Sequence, residues 1–351
     1  MIMKHFNVCL KQDVLKRTRI RRYETKLGER IGVVGDPLDL PGCLERSTAR
    51  YVLFGVPESI GVQANHGIGG TETAWSPFLE SFLNIQSLDR FTGEEVLLAG
   101  AFDFSQVMEV IDRHSNAHAE KLDACRHAVA NIIDDEVEQL VRMIVMAGKI
   151  PLLIGGGHNN CYPMIKGVAK ALHKRGKTDK AKVSAVNLDA HADFRIMEGR
   201  HSGNGFRYAM EEGFLGRYAV IGLHEHYNPQ SMVDDLYSHE DIHYTFMEDI
   251  FLHGKRSFAD AMAEAFQFID DQYVMVDLDM DAIEHLLSSA VTPSGISAMH
   301  ARQYMNFAGS DPKVAGLHIC EGAVRLDSGL EAAQTGKLIA YLVSDFIKAN
   351  L

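Results

Sequence analysis

The stretch that most constrains this chain is 183–194, where a run of apolar and β-favouring residues ends in alternating acid and imidazole side chains. If a strand continues through this stretch, Asp189, His191 and Asp193 share one face and converge on one spot, because side chains at every second position point the same way. Carboxylate and imidazole groups at this spacing are typical of metal ligands. A strand end with a polar rim would show the same triplet, so the rest of the chain has to decide between the two interpretations.

Two further apolar segments end in the same kinds of side chain. Residues 150–154 are followed by three glycines and His158, and residues 273–276 are followed by acids at every second position. These acids are Asp277, Asp279 and Asp281. Because strand geometry puts all three on one face, the spacing alone does not say which of them bind a metal.

Apolar segments alternate with helical patterns along the chain, which predicts a mainly parallel sheet covered by helices on both faces. The predicted strands are 51–56, 95–101, 150–154, the stretch from 183, 217–223, 273–276 and 314–320, and the predicted helices are 120–147, 163–173, 257–269 and 331–349. Ligands of such sheets bind outside the carboxyl ends of the strands. The polar groups described above all follow predicted strands, so we expect them to meet at one edge of the sheet.

Composition narrows the class of protein. The chain has 351 residues, 46% of them hydrophobic, so it can bury a large core, and no repeat or low-complexity tract marks a domain boundary. The net charge of −12 works against nonspecific binding to nucleic acid or anionic membranes and favours a small-molecule partner. The five cysteines include no Cys-x-x-Cys pair, and no apolar run reaches the roughly 18 residues of a membrane span. We therefore expect a cytoplasmic protein without a disulfide framework.

The convergent side chains predict a binuclear metal site. Two imidazoles and four or five carboxylates carry more negative charge than one divalent ion would neutralise in a buried pocket. Carboxylate-rich ligation with some imidazole and no thiolate favours Mn²⁺ or Mg²⁺ over structural Zn²⁺. Two such ions, about 3.5–4 Å apart, lower the pKa of a shared water molecule, so the expected reaction class is metal-assisted hydrolysis.

Three motifs carry a resemblance to a known family. They are GGGH at 155–158, DAHAD at 189–193 and DMDAIE at 279–284. Together with GVP at 55–57, IGL at 221–223 and LHICE at 317–321, they resemble the ordered signatures of the ureohydrolase family, which includes arginase, agmatinase and formimidoylglutamase. The resemblance runs from about residue 50 to the C-terminus. We therefore divide the chain into an N-terminal extension, residues 1–50, and a single catalytic domain, residues 51–351.

The resemblance implies an arginase-like, three-layer α/β/α fold with two Mn²⁺ ions per chain, which hydrolyses a C–N bond in a formimidoyl or guanidino compound. The implied ligands are His158 and Asp193 of one ion, His191 and Asp281 of the other, and Asp189 and Asp279 bridging both. Asp277 is left as a carboxylate behind the ligands, and Glu321 matches the acid that faces the cationic group of the substrate. Members of the family commonly form homo-oligomers, so we expect one here.

The segment after the second motif bears on the substrate. In arginases a histidine that shuttles protons follows a Ser-Gly-Asn run, and Phe206 stands at the matching position here. Residues 202–206 resemble instead the Ser-Gly-x-x-Phe pattern of formimidoylglutamase-like members, which implies hydrolysis of N-formimidoyl-L-glutamate to L-glutamate and formamide. The alternatives are arginase, agmatinase or another guanidino-acid hydrolase, all releasing urea, and a catalytically silent relative that only binds.

Several side chains near these motifs are candidates for contact with the substrate. The candidate substrate-binding residues are Ser202, Asn204, Phe206, Glu225 and Glu321, and the candidate catalytic residues are His201 and Glu321. His201 would stand in for the missing proton shuttle, unless it is only a loop histidine. One of three arginines, Arg195, Arg200 or Arg207, would pair with a substrate carboxylate, although a solvated surface arginine is the competing interpretation for each.

Overall fold

The computed structural model describes residues 3–115, 117–269 and 272–351, and ten strands within them form one sheet. The strands are β1 (Phe6–Val8), β2 (Gly32–Val33), β3 (Tyr51–Gly55), β4 (Val96–Phe102), β5 (Ile150–Ile154), β6 (Val183–Leu188), β7 (Leu215–Leu223), β8 (Ile242–Phe246), β9 (Val274–Asp279) and β10 (Val314–Cys320). Their order is β1-β4-β3-β5-β10-β9-β6-β7-β8, and β2 also pairs with β4. The β1–β4 pair is antiparallel and the other pairs of this sheet are parallel.

Helices fill the connections between the strands. They are α1 (Lys11–Arg17), α2 (Leu27–Arg30), α3 (Leu40–Arg46), α4 (Ile60–Gln63), α5 (Trp75–Phe82), α6 (Ser105–His114), α7 (His118–Ala128), α8 (Asp134–Met146), α9 (Cys161–Lys174), α10 (Gly205–Glu211), α11 (Gln230–Ser238), α12 (Met247–Phe251), α13 (Phe258–Phe268), α14 (Ala298–Gly309) and α15 (Thr335–Lys348). A π-helical turn, Val129–Ile133, joins α7 to α8, and 3₁₀ turns cover Thr71–Thr73, His158–Asn160, Ser202–Asn204 and Met280–Ala282. None of the described helices combines the length and apolar character needed to cross a bilayer.

The sheet separates two apolar layers. Along β3, Val52 and Phe54 belong to one buried cluster and Leu53 to the other, because successive side chains of a strand point to opposite faces. Helices α8 and α9 supply the first cluster, and α5, α14 and α15 supply the second. The predicted three-layer α/β/α fold with a mainly parallel sheet is therefore confirmed.

The predicted elements agree with the observed ones except at certain boundaries. Each predicted strand corresponds to an observed strand, and the helix predicted at 120–147 is formed by α7, the π-helical turn and α8 in succession. The helix predicted from residue 331 begins only at Thr335, because Glu331 forms an isolated β-bridge with Arg325. Strands β1, β2 and β8 were not predicted. Residues 3–50 add β1 and β2 to the sheet through their pairing with β4.

Four neighbouring strands at the centre of the sheet deliver the polar motifs to one edge. The order β5-β10-β9-β6 is parallel throughout, so the carboxyl ends of these strands lie side by side. His158 follows β5, Glu321 follows β10, Asp279 ends β9 and Asp189 follows β6. Sheet topology therefore brings together groups that are up to 163 positions apart in sequence.

A buried ion pair fixes the loop that follows the second motif. Arg200 donates to both carboxylate oxygens of Asp134, the first residue of α8, at 2.9 and 3.3 Å. The same guanidinium donates to Asn204 Oδ1 at 3.0 Å and to the carbonyl of Asn159 at 2.9 Å. Arg200 thus ties α8 to the loop at 195–204 and to the turn after β5.

Replacing Asp134 by alanine should lower the free energy of unfolding by about 3–5 kcal/mol, because the arginine cannot lose its proton and would stay buried without a counter-charge. Urea unfolding of the chelator-treated protein measures the loss. The exposed Arg113–Glu109 pair of α6 gives the control, since Glu109→Ala should cost less than about 1 kcal/mol. Equal, small losses in the two variants would show that the buried pair does not hold this loop.

Candidate metal centre

The DAHAD motif lies in a loop and not in a strand. Strand β6 ends at Leu188, so the expected alternation along residues 189–193 is wrong, and Asp193 has a left-handed backbone with φ +45°. The motif nevertheless converges with the other polar groups, because the loop turns over the carboxyl edge of the sheet. Asp189 and Asp193 face His158, whereas His191 faces Asp281.

The first group of side chains, the His158 cluster, consists of His158, Asp189, Asp193 and Asp279. The Nδ1 atom of His158 lies 2.8 Å from Asp193 Oδ2 and 3.2 Å from Oδ2 of both Asp189 and Asp279. His158 and Asp189 are fully buried. One imidazole nitrogen therefore faces three carboxylates.

The second group, the His191 cluster, consists of Asp189, His191 and Asp281. His191 Nδ1 lies 3.0 Å from Asp281 Oδ2 and 3.8 Å from Asp189 Oδ1. Asp189 belongs to both clusters and offers a different oxygen to each. Its carboxylate is held in place by Asn187 Nδ2, which donates to Oδ2 at 2.9 Å, and by the backbone N–H of His191, which donates to Oδ1 at 2.7 Å.

The electrostatics of the two clusters call for a cation. Burial raises the pKa of Asp193 and of Asp279. The charge of Asp189 raises both pKa values further, and the charge of Asp281 adds to the rise at Asp279. The donor atoms of both clusters are carboxylate oxygens and imidazole nitrogens without a thiolate, which suits Mn²⁺ or Mg²⁺. The residues present therefore fit a pair of divalent ions, and Asp189 belongs to both of the clusters that would hold them.

Asp277 stands behind the clusters. Its Oδ1 lies 2.9 Å from His318 Nδ1 and 3.6 Å from His158 Nε2, and all three side chains are buried. A carboxylate at this position favours a proton on Nε2 of His158, which leaves Nδ1 free to bind a metal. Asp277 belongs to neither cluster, and its role as a carboxylate behind the ligands stays a prediction.

Glu321 lies beside both clusters with a left-handed backbone, φ +61°. Its Oε1 accepts a hydrogen bond from the backbone N–H of His158 at 2.8 Å, and its Oε2 accepts one from the hydroxyl of Ser289. Burial raises the pKa of Glu321 to about 8, the two hydrogen bonds oppose this rise, and the charges of Asp281 and Asp193 add to it. A cation beside Glu321 would favour its ionised form, so the residue is well placed to receive a cationic group.

A cavity of about 360 Å³ opens over the two clusters. Besides ligand residues and Glu321, its wall includes Asn65, Arg195, Ser202, Tyr227 and Ser289. Ser202 thus lines the cavity, and its contact with a substrate stays a prediction. Asn204, Phe206 and Glu225 do not line the cavity.

The three predicted residues outside the cavity have other contacts. The ring of Phe206 stacks on Tyr218, with centroids 4.3 Å apart, and meets His158 edge-on at 5.2 Å, so Phe206 supports a metal-ligand candidate from below. The side chain of Asn204 accepts from Arg200 and donates to the carbonyl of Gly199 at 2.8 Å. Glu225 is exposed at the end of β7.

His201 is buried within its loop. Its Nδ1 accepts a hydrogen bond from the N–H of Gly203 at 3.1 Å, and the ring does not line the cavity. Burial, together with the positive charges of Arg126, Arg195 and Arg200, lowers the pKa of His201 to about 3. The ring is therefore neutral at physiological pH and caps the 3₁₀ turn at Ser202–Asn204.

Glu58 was not singled out from the sequence. This buried carboxylate accepts hydrogen bonds from the backbone N–H groups of Gly157, at 3.1 Å, and Gly61, at 2.9 Å, and from Asn160 Nδ2 at 2.9 Å. These bonds hold the glycine turn that presents His158. The signal that could have found Glu58 is an acid directly after the GVP motif, in a segment that is otherwise apolar.

Tyr227 was also missed, and it packs between two histidines. Its ring centroid lies 5.2 Å from that of His191 and 5.0 Å from that of His224, and both pairs are stacked. Its hydroxyl donates to Thr292 Oγ1 at 3.1 Å. Tyr227 therefore orients the imidazole of a metal-ligand candidate, a role that no sequence spacing would indicate.

The chain is similar in sequence to one family of proteins and to several of its individual members. The model of a family described as the arginase family matches residues 49–348. The formimidoylglutamase of Rhodococcus jostii is 31% identical over 156 residues, which cover 43% of this chain and 45% of that protein. The formimidoylglutamase of Staphylococcus aureus strain JH9 is 27% identical over 256 residues, which cover 71% of this chain and 75% of that protein. The first of these matches thus spans less than half of its relative's length.

Two solved structures share the fold. The Bacillus subtilis formimidoylglutamase superposes with a TM-score of 0.71 at 18% identity, covering 94% of this chain and 93% of that one. The Trypanosoma cruzi formiminoglutamase with Mn²⁺₂ superposes with a TM-score of 0.68 at 18% identity, covering 93% and 98%. At this level of identity the likeness extends to the fold alone.

Replacing Asp189 by asparagine should weaken the binding of both Mn²⁺ ions, because this carboxylate offers one oxygen to each cluster. The metal-free variant should be at least as stable as the parent, since one of several repelling charges is gone. Calorimetric titration with Mn²⁺ and urea unfolding measure the two effects. The matched control, Asp241→Asn, changes an exposed acid at the opposite edge of the sheet and should leave both unchanged. If Asp189→Asn still binds two Mn²⁺ ions as tightly as the parent, Asp189 is not a ligand that the two sites share.

The neutral state of His201 predicts a pH-dependent stability. The histidine of the unfolded chain takes up a proton below about pH 6.5, whereas the native ring does so only near pH 3. Its contribution to stability is therefore complete above about pH 6.5 and is lost as the pH falls towards 3. The His201→Asn variant can still cap the turn. In chelator-treated protein, its free energy of unfolding should fall less steeply with decreasing pH than that of the parent, by up to about 1.4 kcal/mol per pH unit. His226→Asn, at an exposed histidine, is the control, and identical slopes in parent and His201→Asn would refute a buried, neutral ring.

Proposed function

Because this chain belongs to the arginase family, we propose that it is a binuclear Mn²⁺ hydrolase that cleaves a C–N bond in N-formimidoyl-L-glutamate, giving L-glutamate and formamide. The observation that carries the proposal is the position of Asp189, which offers one oxygen to each of the two clusters at the cavity that Glu321 lines. A family of hydrolases and a two-cluster ligand set together favour hydrolysis over a binding role.

The ligand assignment follows the two clusters. In the proposal His158 and Asp193 would hold one ion and His191 and Asp281 the other, and Asp189, which belongs to both clusters, would be shared. Asp279, which lies in the His158 cluster, is proposed as the second shared ligand. Divalent ions at such sites supply Lewis acidity, which makes water a competent nucleophile near neutral pH. Tyr227, Phe206 and Asp277 hold the two imidazoles in the orientations that this assignment needs.

Glu321 is proposed to hold the cationic end of the substrate. A formimidoyl or guanidino group is planar and presents parallel N–H donors, which a carboxylate accepts in a bidentate fashion. Both oxygens of Glu321 are already fixed, one by the N–H of His158 and one by Ser289, so the carboxylate does not need to reorganise when the substrate arrives. The carboxylate would stabilise positive charge on the amidine while its carbon becomes tetrahedral.

The choice of formimidoylglutamate is supported by the charges of the cavity wall. In the described part of the chain, the carboxylates that line the cavity are the ligand candidates and Glu321, so no further acid is available for a substrate ammonium group. Arginine and agmatine carry an ammonium group, whereas the formimidoyl group of formimidoylglutamate occupies the α-nitrogen and leaves two free carboxylates. The curated formimidoylglutamases matched above point in the same direction.

His201 and Glu225 have no part in this proposal. The ring of His201 is buried in its loop, and the side chain of Glu225 lies outside the cavity. We further propose that the protein works as a homo-oligomer in the reducing cytoplasm. Its five cysteines are free thiols in the structure, which supports that compartment.

The test is turnover by the Mn²⁺-reconstituted protein across formimidoylglutamate, arginine, agmatine and guanidino acids, with identification of the products. We expect formimidoylglutamate to give the highest kcat/KM, with glutamate and formamide released in equal amounts. Glu321→Gln should lower kcat/KM by roughly 100-fold or more, because the amidinium loses its counter-charge. Urea released from arginine at the highest efficiency of the panel would refute the substrate, and tight Mn²⁺ binding without any turnover would refute the activity.

A further inference from the structure

We infer that Arg195 is the anchor for a carboxylate of the substrate, and that the substrates of this site are amidines or guanidines that carry a carboxylate at the far end. This inference rests on the proposed function and deepens it, because it names the residue that selects the substrate class. It is carried by the surroundings of three arginines near the second motif and by the wall of the cavity.

Two of the three arginines are already paired with protein carboxylates. Arg200 is buried against Asp134 on α8. Arg207 donates to Asp235 Oδ2 at 2.8 Å and to the carbonyl of Phe194 at 3.3 Å. Neither Arg200 nor Arg207 lines the cavity.

Arg195 is placed differently. Within residues 3–115, 117–269 and 272–351, no carboxylate lies within ion-pair distance of its guanidinium, and it is the one lysine or arginine of the cavity wall. In a chain with a net charge of −12 and in a cavity floored by aspartates, an arginine without a counter-ion is a conspicuous site for an anion. A guanidinium binds a carboxylate through two parallel hydrogen bonds, which also fix its orientation.

The side chain of Arg195 is held at the wall by its neighbours. Its backbone N–H donates to the carbonyl of Gly203 at 3.0 Å, and a Cβ atom at Gly203 would lie only 2.9 Å from Arg195 Cδ. The absence of a side chain at Gly203 therefore leaves room for the stem of the arginine. The guanidinium donates to Asn65 Oδ1 at 3.4 Å, and Asn65 Nδ2 in turn donates to Ser202 Oγ at 3.3 Å. This chain of contacts presents the guanidinium to the cavity and leaves most of its five donors unused.

The cavity then has opposite charges for the two ends of one molecule. Glu321 receives the amidinium, and Arg195 receives the carboxylate. A volume of about 360 Å³ is at the small end of the range for small-molecule sites, so the two charges suit a short substrate such as formimidoylglutamate or a guanidino acid. A guanidine that ends in an ammonium group, such as agmatine, would bring a positive charge next to the positive charge of Arg195.

The first arm of the test is turnover of formimidoylglutamate by the Mn²⁺-loaded protein. Arg195→Gln should raise KM by roughly 10- to 100-fold, the worth of one charge-assisted pair of hydrogen bonds, and change kcat by less than about 3-fold. Arg195→Lys should show a smaller rise in KM than Arg195→Gln, since lysine restores the positive charge but not the two parallel N–H donors of the guanidinium. The matched control is Arg207→Gln, which alters an arginine paired with Asp235 outside the cavity and should leave KM unchanged.

The second arm is independent of turnover. Calorimetry on the Mn²⁺-loaded proteins compares the binding of glutarate, which has the carboxylates but no amidine, with that of the uncharged glutaramide. Arg195→Gln should weaken glutarate binding at least 10-fold relative to parent and Arg207→Gln, and leave glutaramide binding unchanged. If glutarate binding depends on Arg195 while no panel substrate is hydrolysed, the proposed function fails and the anchor stands. If Arg195→Gln matches the parent in both arms, Arg195 is only a solvated surface arginine and the inference is overturned.

Discussion

The mutual repulsion of buried carboxylates is the constraint on which the rest of this structure depends. Four aspartates are brought within reach of two imidazole nitrogens, and burial together with their mutual charge raises the pKa of at least two of them. Such a group of charges is tolerable in a folded protein when cations neutralise it. Bound cations would therefore relieve this repulsion as well as supply chemistry.

These charges are held together by adjacent strands of the sheet and by turns with a strained backbone at the ends of those strands. The ends of four adjacent parallel strands carry the clusters, and the turns that leave them include two non-glycine residues in the left-handed region, Asp193 and Glu321. Strain of this kind persists where surrounding contacts over-determine the backbone. Here Glu58 accepts from Gly157 and Arg200 donates to Asn159, so buried hydrogen bonds hold the backbone on both sides of His158.

The sequence predicts the layered fold and the convergence of the motifs because both follow from local patterns. Apolar strands, helical periodicity and polar groups after each strand are visible without any contact information. These patterns did not predict which side chains contact one another inside the site. His191 faces Asp281 because the strand ends at Leu188, and the two-residue alternation of a strand does not apply to the loop that follows. Phe206 was predicted to contact the substrate, yet its ring packs edge-on against His158 and does not line the cavity. Likewise, the three arginines are equivalent in sequence, and only their carboxylate partners distinguish them.

The central claim is that Asp189 lies between two metal ions. Anomalous diffraction at the manganese edge from crystals of the Mn²⁺-loaded protein tests it most directly. The account predicts two peaks on opposite sides of the Asp189 carboxylate, one in contact with His158 and the other with His191. A single peak, or an ion ligated by Asp277 behind His158, would contradict the account.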